Sequence, residues 1–437
     1  MSTVSLSTLV LFRSCFGPTR LSEFESVTSK LYPNVHTEWQ WDRVNRAYYG
    51  GDYGPSIIQR LPDDLTALEW TEVAARCIGC KGVFQIMGEG DTLEDCIQKV
   101  GRLSDEQILG LIQGSWSMQV KMLGRSDRLH PRDRRDRVES FREVLGILVH
   151  RTVKLNNPEH ELVLLEDCRS LESDLGAGQP QSPKHVYLLL KAPSSTSPTV
   201  RDLAEMSDVK KRAFIGTTTL PADRALLMSN LGLSKEGRTV LDPFCGSGGL
   251  LISSALLDAK VVGADVDAEL LSFCDAPLRF PNSPHRPNRG VEVVSYGDSF
   301  TELGLEQPTL IFGLDIQSAD IVTQVLKANH GQRYDAVVTD PPYGIRESSS
   351  KMSDKQITER LCDVASKVLK PLGRLVFLRV VECTLETLEQ TQQILERELN
   401  QIATRYCFDV LSLTMEKFNN RCWRATVVLS MNDKIVR

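Results

Sequence analysis

The sequence lacks a disulfide framework, an excess of basic charge and an internal repeat. Its eleven cysteines in 437 residues are scattered. An oxidised scaffold is shorter and denser in cysteine, so the spacing points to a reducing compartment and, with it, a cytoplasmic protein. Cys77 and Cys80 form the one close pair, and no second pair or histidine stands at finger spacing from them. They read as small apolar residues at a helix end, and no metal site is expected. The formal net charge of −6 lends nucleic-acid binding no support of its own, so any such surface must be a local basic patch. The apolar run Val4 to Phe12 is too short to span a membrane and lacks a basic flank or a small-residue cleavage pattern. It reads as a first β-strand of a soluble protein that is not secreted.

What is present is ordinary globular composition, 41% hydrophobic and 25% charged, in a chain longer than one compact core usually holds. Breakers cluster in Ser170 to Lys184 (Gly176, Gly178, Pro180, Pro183) and again in Ala192 to Thr199. They mark connecting loops and place a domain boundary near residue 190. In 1–190, Lys81 to Met87, Ser115 to Leu123 and Val186 to Leu190 read as strands, and Thr92 to Val100 as a helix. Arg132 to Leu148 carries Val138, Phe141, Val144, Leu145 and Leu148 at helical spacing. This is an α+β domain. In 191–437, strand-like runs at Thr239–Leu241, Val261–Gly263, Leu310–Gly313, Ala336–Val338 and Arg374–Leu378 alternate with helical segments such as Leu250–Leu257 and Lys355–Leu369. That order predicts a parallel sheet covered on both faces. Phe408–Leu413 and Arg424–Met431 predict a terminal antiparallel pair joined through Asn419–Asn420.

Two segments carry chemistry. The first, Asp242-Pro243-Phe244-Cys245-Gly246-Ser247-Gly248-Gly249, follows the first strand of the second domain and opens a helix. Ligands bind at such strand ends, and the glycines let backbone turn sharply and come close. Asp265 ends the next strand, roughly twenty residues on, the spacing at which a carboxylate meets ribose hydroxyls. The glycine spacing departs from the dinucleotide pattern, and Asp242 stands where a pyrophosphate would bring its own negative charge. A carboxylate there suits a cation, such as the amino group of S-adenosylmethionine. Asp315, after the third strand, lies where the adenine of that cofactor is expected, or it simply caps a helix.

The second segment, Asp340-Pro341-Pro342-Tyr343, follows the fourth strand and is the most specific signal. Two prolines stiffen the turn, because each fixes its own φ and lacks an N–H. The exocyclic nitrogen of a base is a poor nucleophile, since its lone pair is delocalised into the ring. Acceptors on its N–H groups can pyramidalise it. Asp340 and the Pro341 carbonyl are the expected acceptors, Asp340 or water takes the proton, and Tyr343 offers a stacking surface.

Taken together, Val209 to Thr218, Asp242 to Leu251, Gly263 to Asp267 and above all Tyr334 to Glu347, YDAVVTDPPYGIRE, resemble the tRNA guanine N2-methyltransferases that act at tRNA position ten. The resemblance covers Tyr187 to the C-terminus and, loosely, Lys81 to Glu89 and Lys154 to Asp167. It implies a Rossmann-like class I methyltransferase domain at 191–437, preceded at 1–190 by an α+β domain with a THUMP-like RNA-binding module. It implies S-adenosylmethionine as cofactor and tRNA as substrate, with a small zinc-ribbon activator as partner in a heterodimer. Asp265 and Val266 then lie at the cofactor ribose, Asp315 near its adenine, Asp340 to Tyr343 at the target base, and Phe214, Thr217 and Thr218 across the cofactor. Differences from the family are Thr217 in place of a frequent Asn, Ser247 and Cys245 where Thr or Val is common, and a Pro-rich insertion from Phe280 to Gly290.

Between Lys121 and Lys154 arginines are in excess, and Arg128, Arg132, Arg134 and Arg135 are the candidates for RNA phosphates. Acids interrupt the run, so part of it reads equally as a solvated helix face. Two alternatives stay open: an N6-adenine methyltransferase, which uses the same tetrapeptide, and a non-catalytic RNA-binding scaffold with a decayed site. Intact Asp242, Asp265 and Asp340 argue against decay.

Overall fold

A computed structural model describes residues 6–13, 16–35, 58–123, 129–168, 183–193, 198–212, 219–267, 297–342, 352–384, 387–419 and 421–433. The expectations for Phe214, Thr217, Thr218, Tyr343, Arg128 and the 280–290 insertion lie outside these residues, as does most of the 170–184 loop. The chain divides into two compact units: 1–16 with 32–197, and 17–31 with 198–437. A single cut at 190 therefore differs from the structure in one respect that matters. The helix α1, Thr19–Leu31, is early in sequence but belongs to the second unit.

The first unit is a mixed six-stranded sheet. Its strands are β1 Thr8–Phe12, β2 Ile58–Arg60, β3 Cys80–Gly90, β4 Trp116–Leu123, β5 His160–Asp167 and β6 His185–Lys191, in the order β2-β1-β3-β6-β5-β4. Only β4 and β5 run parallel. Alternate residues serve two cores. Leu162, Leu164, Leu188 and Leu190 pack with Val100, Phe141 and Leu148, while Val163, Leu165 and Leu189 pack with Leu9, Leu11 and Phe84. The helix Leu93–Val100 starts on a reciprocal Thr92–Asp95 capping box. The long helix expected from Arg132 to Leu148 is broken. A helix spans Pro131–Glu139, and a 3-10 turn spans Gly146–His150. The residues that suggested the period, Phe141, Leu145 and Leu148, are buried, but from these turns rather than from one continuous helix. Cys77 and Cys80 are buried between the helix Ala67–Ala75 and the start of β3.

The second unit holds β7 Thr239–Asp242, β8 Lys260–Asp265, β9 Thr309–Phe312, β10 Tyr334–Thr339, β11 Leu369–Glu382, β12 Phe408–Lys417 and β13 Cys422–Met431. Their order is β12-β13-β11-β10-β7-β8-β9. β7 to β11 are parallel, and β13 runs antiparallel to both β11 and β12, as the terminal pattern predicts. Leu375, Val376, Phe377 and Leu378 are buried in succession, so β11 is covered on both faces. The apolar run Val376 to Val381 is thus the interior of the sheet. The edges are β12 and β9. From β7 the chain turns to one side for β8 and β9, then crosses to the other for β10 and β11. The crevice of a doubly wound sheet therefore opens at the carboxyl ends of β7 and β10.

One group of helices is built around α1. It buries Leu21, Phe24 and Val27 and packs on the helix Ala222–Leu231, which in turn packs on Gly249–Ala255. Polar contacts fix its register. Lys30 Nζ donates to the Ser234 carbonyl at 2.6 Å, Asn230 Nδ2 to Glu23 at 2.8 Å, and Arg374 Nη1 to Ser26 at 2.9 Å. Thr19 and Ser22 bond to Thr414 and Ser412 of β12.

Candidate active site

Three carboxylates gather at the crevice. Asp242 ends β7, Asp265 ends β8, and Asp340 follows the last residue of β10. Asp242 is 1% exposed. Its Oδ1 accepts from Thr339 Oγ1 at 2.6 Å and from the Phe244 N–H at 3.1 Å. Burial nevertheless dominates and pushes its carboxyl up to about 7, and the negative charges of Asp265 and Asp340 push the same way. The protonated Asp242 therefore stabilises the fold. That contribution is complete below the ordinary carboxylate range, near pH 4, and is lost as the pH rises through about 7.

The glycine loop is tied to the next strand. The Gly246 N–H donates to Asp265 Oδ2 at 2.8 Å and the Cys245 N–H to the Ala264 carbonyl at 3.0 Å. Gly248, at φ +81°, stands at the N-cap of Gly249–Ala255, a left-handed conformation that a side chain strains. Pro243, Cys245, Ser247 and Gly249 are buried around the loop, and Ser247 Oγ lies 2.9 Å from Thr219 Oγ1. Asp265 Oδ1 accepts from the Asp267 N–H, so both its oxygens are engaged by backbone. Val266 and Phe312 flank Asp265 and are 63% and 52% exposed, an open apolar surface at the ends of β8 and β9.

Asp315 stands beyond that surface. Its Oδ1 accepts from the Gln317 N–H at 2.9 Å, and its carbonyl from the Ser318 N–H. It therefore caps its own turn and closes no long helix. Arg360, on the helix Asp354–Val368, clamps this turn by donating to the carbonyls of Ile316 and Ser318. On the far side of the crevice Pro341 is buried and Pro342 half-buried directly after Asp340.

The fold thus brings Asp242, Asp265, Asp340 and the loop from Pro243 to Gly249 to one crevice, with Val266 and Asp315 along its β8–β9 side. Sequence reasoning missed Thr339, Thr219, Phe312 and Arg360. Thr339 had a signal, as the one hydroxyl ending the apolar strand Ala336 to Val338. Arg360 had none, since its partners are carbonyls more than forty residues earlier. Among the described residues no cluster of metal-ligating side chains is found, and no helix is long and apolar enough to cross a membrane.

Residues 210–406, which carry all three carboxylates, match the family described as RMKL-like, methyltransferase domain. The second unit contains a methyltransferase domain. Relatives extend the likeness. The tRNA (guanine(10)-N(2))-methyltransferase TRMT11 of Pongo abelii is 27% identical over 336 residues, 75% of this chain and 68% of that protein. The tRNA (guanine(10)-N(2))-methyltransferase of Saccharomyces cerevisiae is 25% identical over 304 residues, 69% of this chain and 61% of its own length. Among solved structures, TrmN from Thermus thermophilus aligns with 98% of the chain at a TM-score of 0.44 and 15% identity. Within the methyltransferase domain the crevice is the one place where carboxylates, a glycine turn and open apolar surface coincide among the described residues.

Proposed function

We propose that the chain is the catalytic subunit of an S-adenosylmethionine-dependent enzyme that methylates the N2 amino group of guanosine at position ten of tRNA. The observation that carries this reading is the convergence of Asp242, Asp265 and Asp340 on the crevice of a methyltransferase domain. The residues fit the cofactor. A buried carboxyl pushed up to about 7 calls for a cation, and the cofactor's amino group is one. Asp265 and Val266 suit its ribose, while Phe312 and Asp315 suit the adenine. Phe214, Thr217 and Thr218 are assigned by resemblance. When bound, S-adenosylmethionine supplies an electrophilic methyl group on a sulfonium.

The chain's residues do the rest. Asp340 and the Pro341 carbonyl accept from the two N–H groups of the target amine and aim its lone pair. The prolines hold both acceptors in place, so little entropy is lost on binding. Asp340, directly or through water, takes the proton that the methylated amine gives up. Tyr343 is assigned the stacking surface for the base. The deciding experiment is mass spectrometry of nucleosides from tRNA incubated with the chain, its activator and labelled cofactor. N2-methylguanosine supports the reading; N6-methyladenosine or no product overturns it.

The charge on Asp242 makes cofactor binding pH-dependent. A cation favours the ionised carboxylate, so affinity for S-adenosylmethionine rises as the pH climbs from about 6 to about 8, and binding near pH 7 releases a proton. Calorimetry in buffers of different ionisation enthalpy measures the release. Binding without it would remove Asp242 from the role of holding the amino group.

The first unit, on this reading, is the THUMP-like RNA-binding module. Its support is the helix Pro131–Glu139, which buries none of its residues and leaves Arg132, Arg134 and Arg135 exposed. Arg137, one turn on, is ion-paired to the buried Glu166 of β5 and anchors the helix. Replacing Arg132, Arg134 and Arg135 with alanine is expected to weaken tRNA binding and to flatten the plot of log affinity against log salt by about 0.7–0.9 per lost phosphate contact. Filter binding across a salt series reads both. A zinc-ribbon activator fits as partner. β9 is a sheet edge whose Leu310 and Ile311 are half-buried and whose Phe312 is exposed, an apolar edge suited to an added strand. A cytoplasmic location accords with a tRNA substrate and with the nine free cysteines among the described residues.

A further inference from the structure

Arg360 takes no part in the steps above, yet each of its three guanidinium nitrogens donates to a defined oxygen. Nε donates to the Ile316 carbonyl at 2.8 Å, Nη2 to the Ser318 carbonyl at 2.9 Å, and Nη1 to Asp363 Oδ2 at 2.6 Å. Asp363, one turn further along the same helix, also pairs with Lys367 at 2.7 Å. The guanidinium is thus fixed to its own helix at one corner and to a distant segment at two. Only a planar fork can serve three acceptors in three directions; the point charge of a lysine cannot.

The segment it grips carries Asp315. Phe312 ends β9, and Gly313, at φ +66°, turns the chain out of the strand. β9 is an edge strand, so the chain beyond it has a sheet neighbour on one side only. On that side the Leu314 N–H donates to the Asp265 carbonyl at 3.0 Å and ties the turn to the end of β8. Arg360 supplies the second anchor, past Asp315, at residues 316 and 318. Leu314 and Ile316 are buried and pin the segment, while Asp315 between them is half-buried. Its Oδ1 accepts from the Gln317 N–H at 2.9 Å, and its Oδ2 accepts from no group among the described residues. A carboxylate is acceptor-only, so one oxygen held by backbone and one left open suits the reading of an amino group.

We infer that Arg360 is a positioning residue for adenine recognition: by clamping the turn from Ile316 to Ser318, it holds Asp315 where its open oxygen selects the adenine amino group. The inference rests on the proposed assignment of Phe312 and Asp315 to the adenine. An unclamped edge segment would still present the Phe312 ring, so contact with the base would persist. Discrimination at the amino group would not, because a hydrogen bond is directional and a stacking contact is not.

Calorimetry on the full chain tests this with two ligands that differ at one position of the base. S-adenosylhomocysteine carries an amino group where S-inosylhomocysteine carries a carbonyl. The wild type is expected to prefer the adenine ligand by about ten- to hundredfold. Arg360→Lys is expected to cut that preference to about threefold, while affinity for the hypoxanthine ligand changes by less than about threefold. An unchanged preference overturns the inference, and so does an equal loss for both ligands, which is what a merely structural role gives. If the lysine variant melts without cooperativity, Asp363→Ala, which removes one of the three partners of the guanidinium, goes into the same comparison. A lowered preference then supports the inference and an unchanged one overturns it. In an Asp315→Ala background Arg360→Lys is expected to leave the preference where Asp315→Ala alone puts it, and a further drop overturns the route through Asp315. Failure of the underlying assignment looks different. A wild type that binds both ligands equally overturns the adenine site itself, and one that binds neither overturns the cofactor reading.

Discussion

Replacing Asp340 with alanine is expected to lower methyl transfer by about 10²–10⁴-fold, the range that a positioned proton acceptor contributes, while leaving affinity for S-adenosylmethionine unchanged. The separation follows from the site. The loop from Asp242 to Gly249 and the Asp265 carboxylate are bonded to each other through the Gly246 N–H. Asp340→Asn sharpens the test. It keeps shape and an acceptor oxygen but loses the charge, so a loss nearly as deep assigns the effect to ionisation. Calorimetry with the cofactor beside a tritium-transfer assay on tRNA separates binding from transfer. Turnover near wild type in either variant removes Asp340 from the chemistry.

The second large effect concerns α1. Deleting residues 1–31, or expressing a fragment that begins at residue 191 or 198, is expected to unfold the methyltransferase unit rather than release it as a working domain. Leu21 is 5% exposed, and Phe24 and Val27 are fully buried. Each such side chain contributes about 1.5–3 kcal/mol on burial, so the three together approach the whole stability of an ordinary domain, about 5–15 kcal/mol. The loss also removes one hydrogen-bond partner each from Asn230 and Arg374, both of which bond to α1 from inside the second unit. Circular dichroism melts of the fragment, with and without a synthetic peptide of residues 17–31, measure the effect. A fragment that melts cooperatively at the wild-type temperature without the peptide contradicts this account of the unit.

The case of α1 also marks where local sequence stops being informative. Leu21, Phe24, Val27 and Leu31 recur at helical spacing, so the helix itself was within reach of periodicity. Its destination was not, because nothing in thirteen residues says which sheet their apolar face will meet. Composition placed a boundary near 190, yet it could not see a helix traded across such a break. The strands of the second unit were legible for the opposite reason. A parallel strand buried on both faces, such as Leu375 to Leu378, is an apolar run wherever its neighbours come from. The site was legible at its turns, where Gly248 and the two prolines after Asp340 impose backbone geometry on their own. It was illegible at its supports. Thr339 and Arg360 act on groups 97 and 44 residues away. The segment from Arg132 to Leu148 shows a third limit. Buried positions spaced as in a helix can come from a helix followed by two turns.

The position of α1 in the chain also sets the order of events during synthesis. The helix leaves the ribosome long before the strand it meets, since Thr19 and Ser22 bond to residues 395 and 390 positions later. At a synthesis rate of about 5–20 residues per second, roughly 20–80 s pass before that surface exists. The other partner of α1, the helix Ala222–Leu231, is made about 200 residues after it, so the apolar stripe of Leu21, Phe24 and Val27 first meets that helix and its docking is completed only when β12 arrives. The strand β12 thus completes two things at once, an edge of the sheet and the docking surface of α1. A stall or truncation before residue 222 leaves α1 without either surface it docks on, and one before residue 412 leaves it with the helix alone.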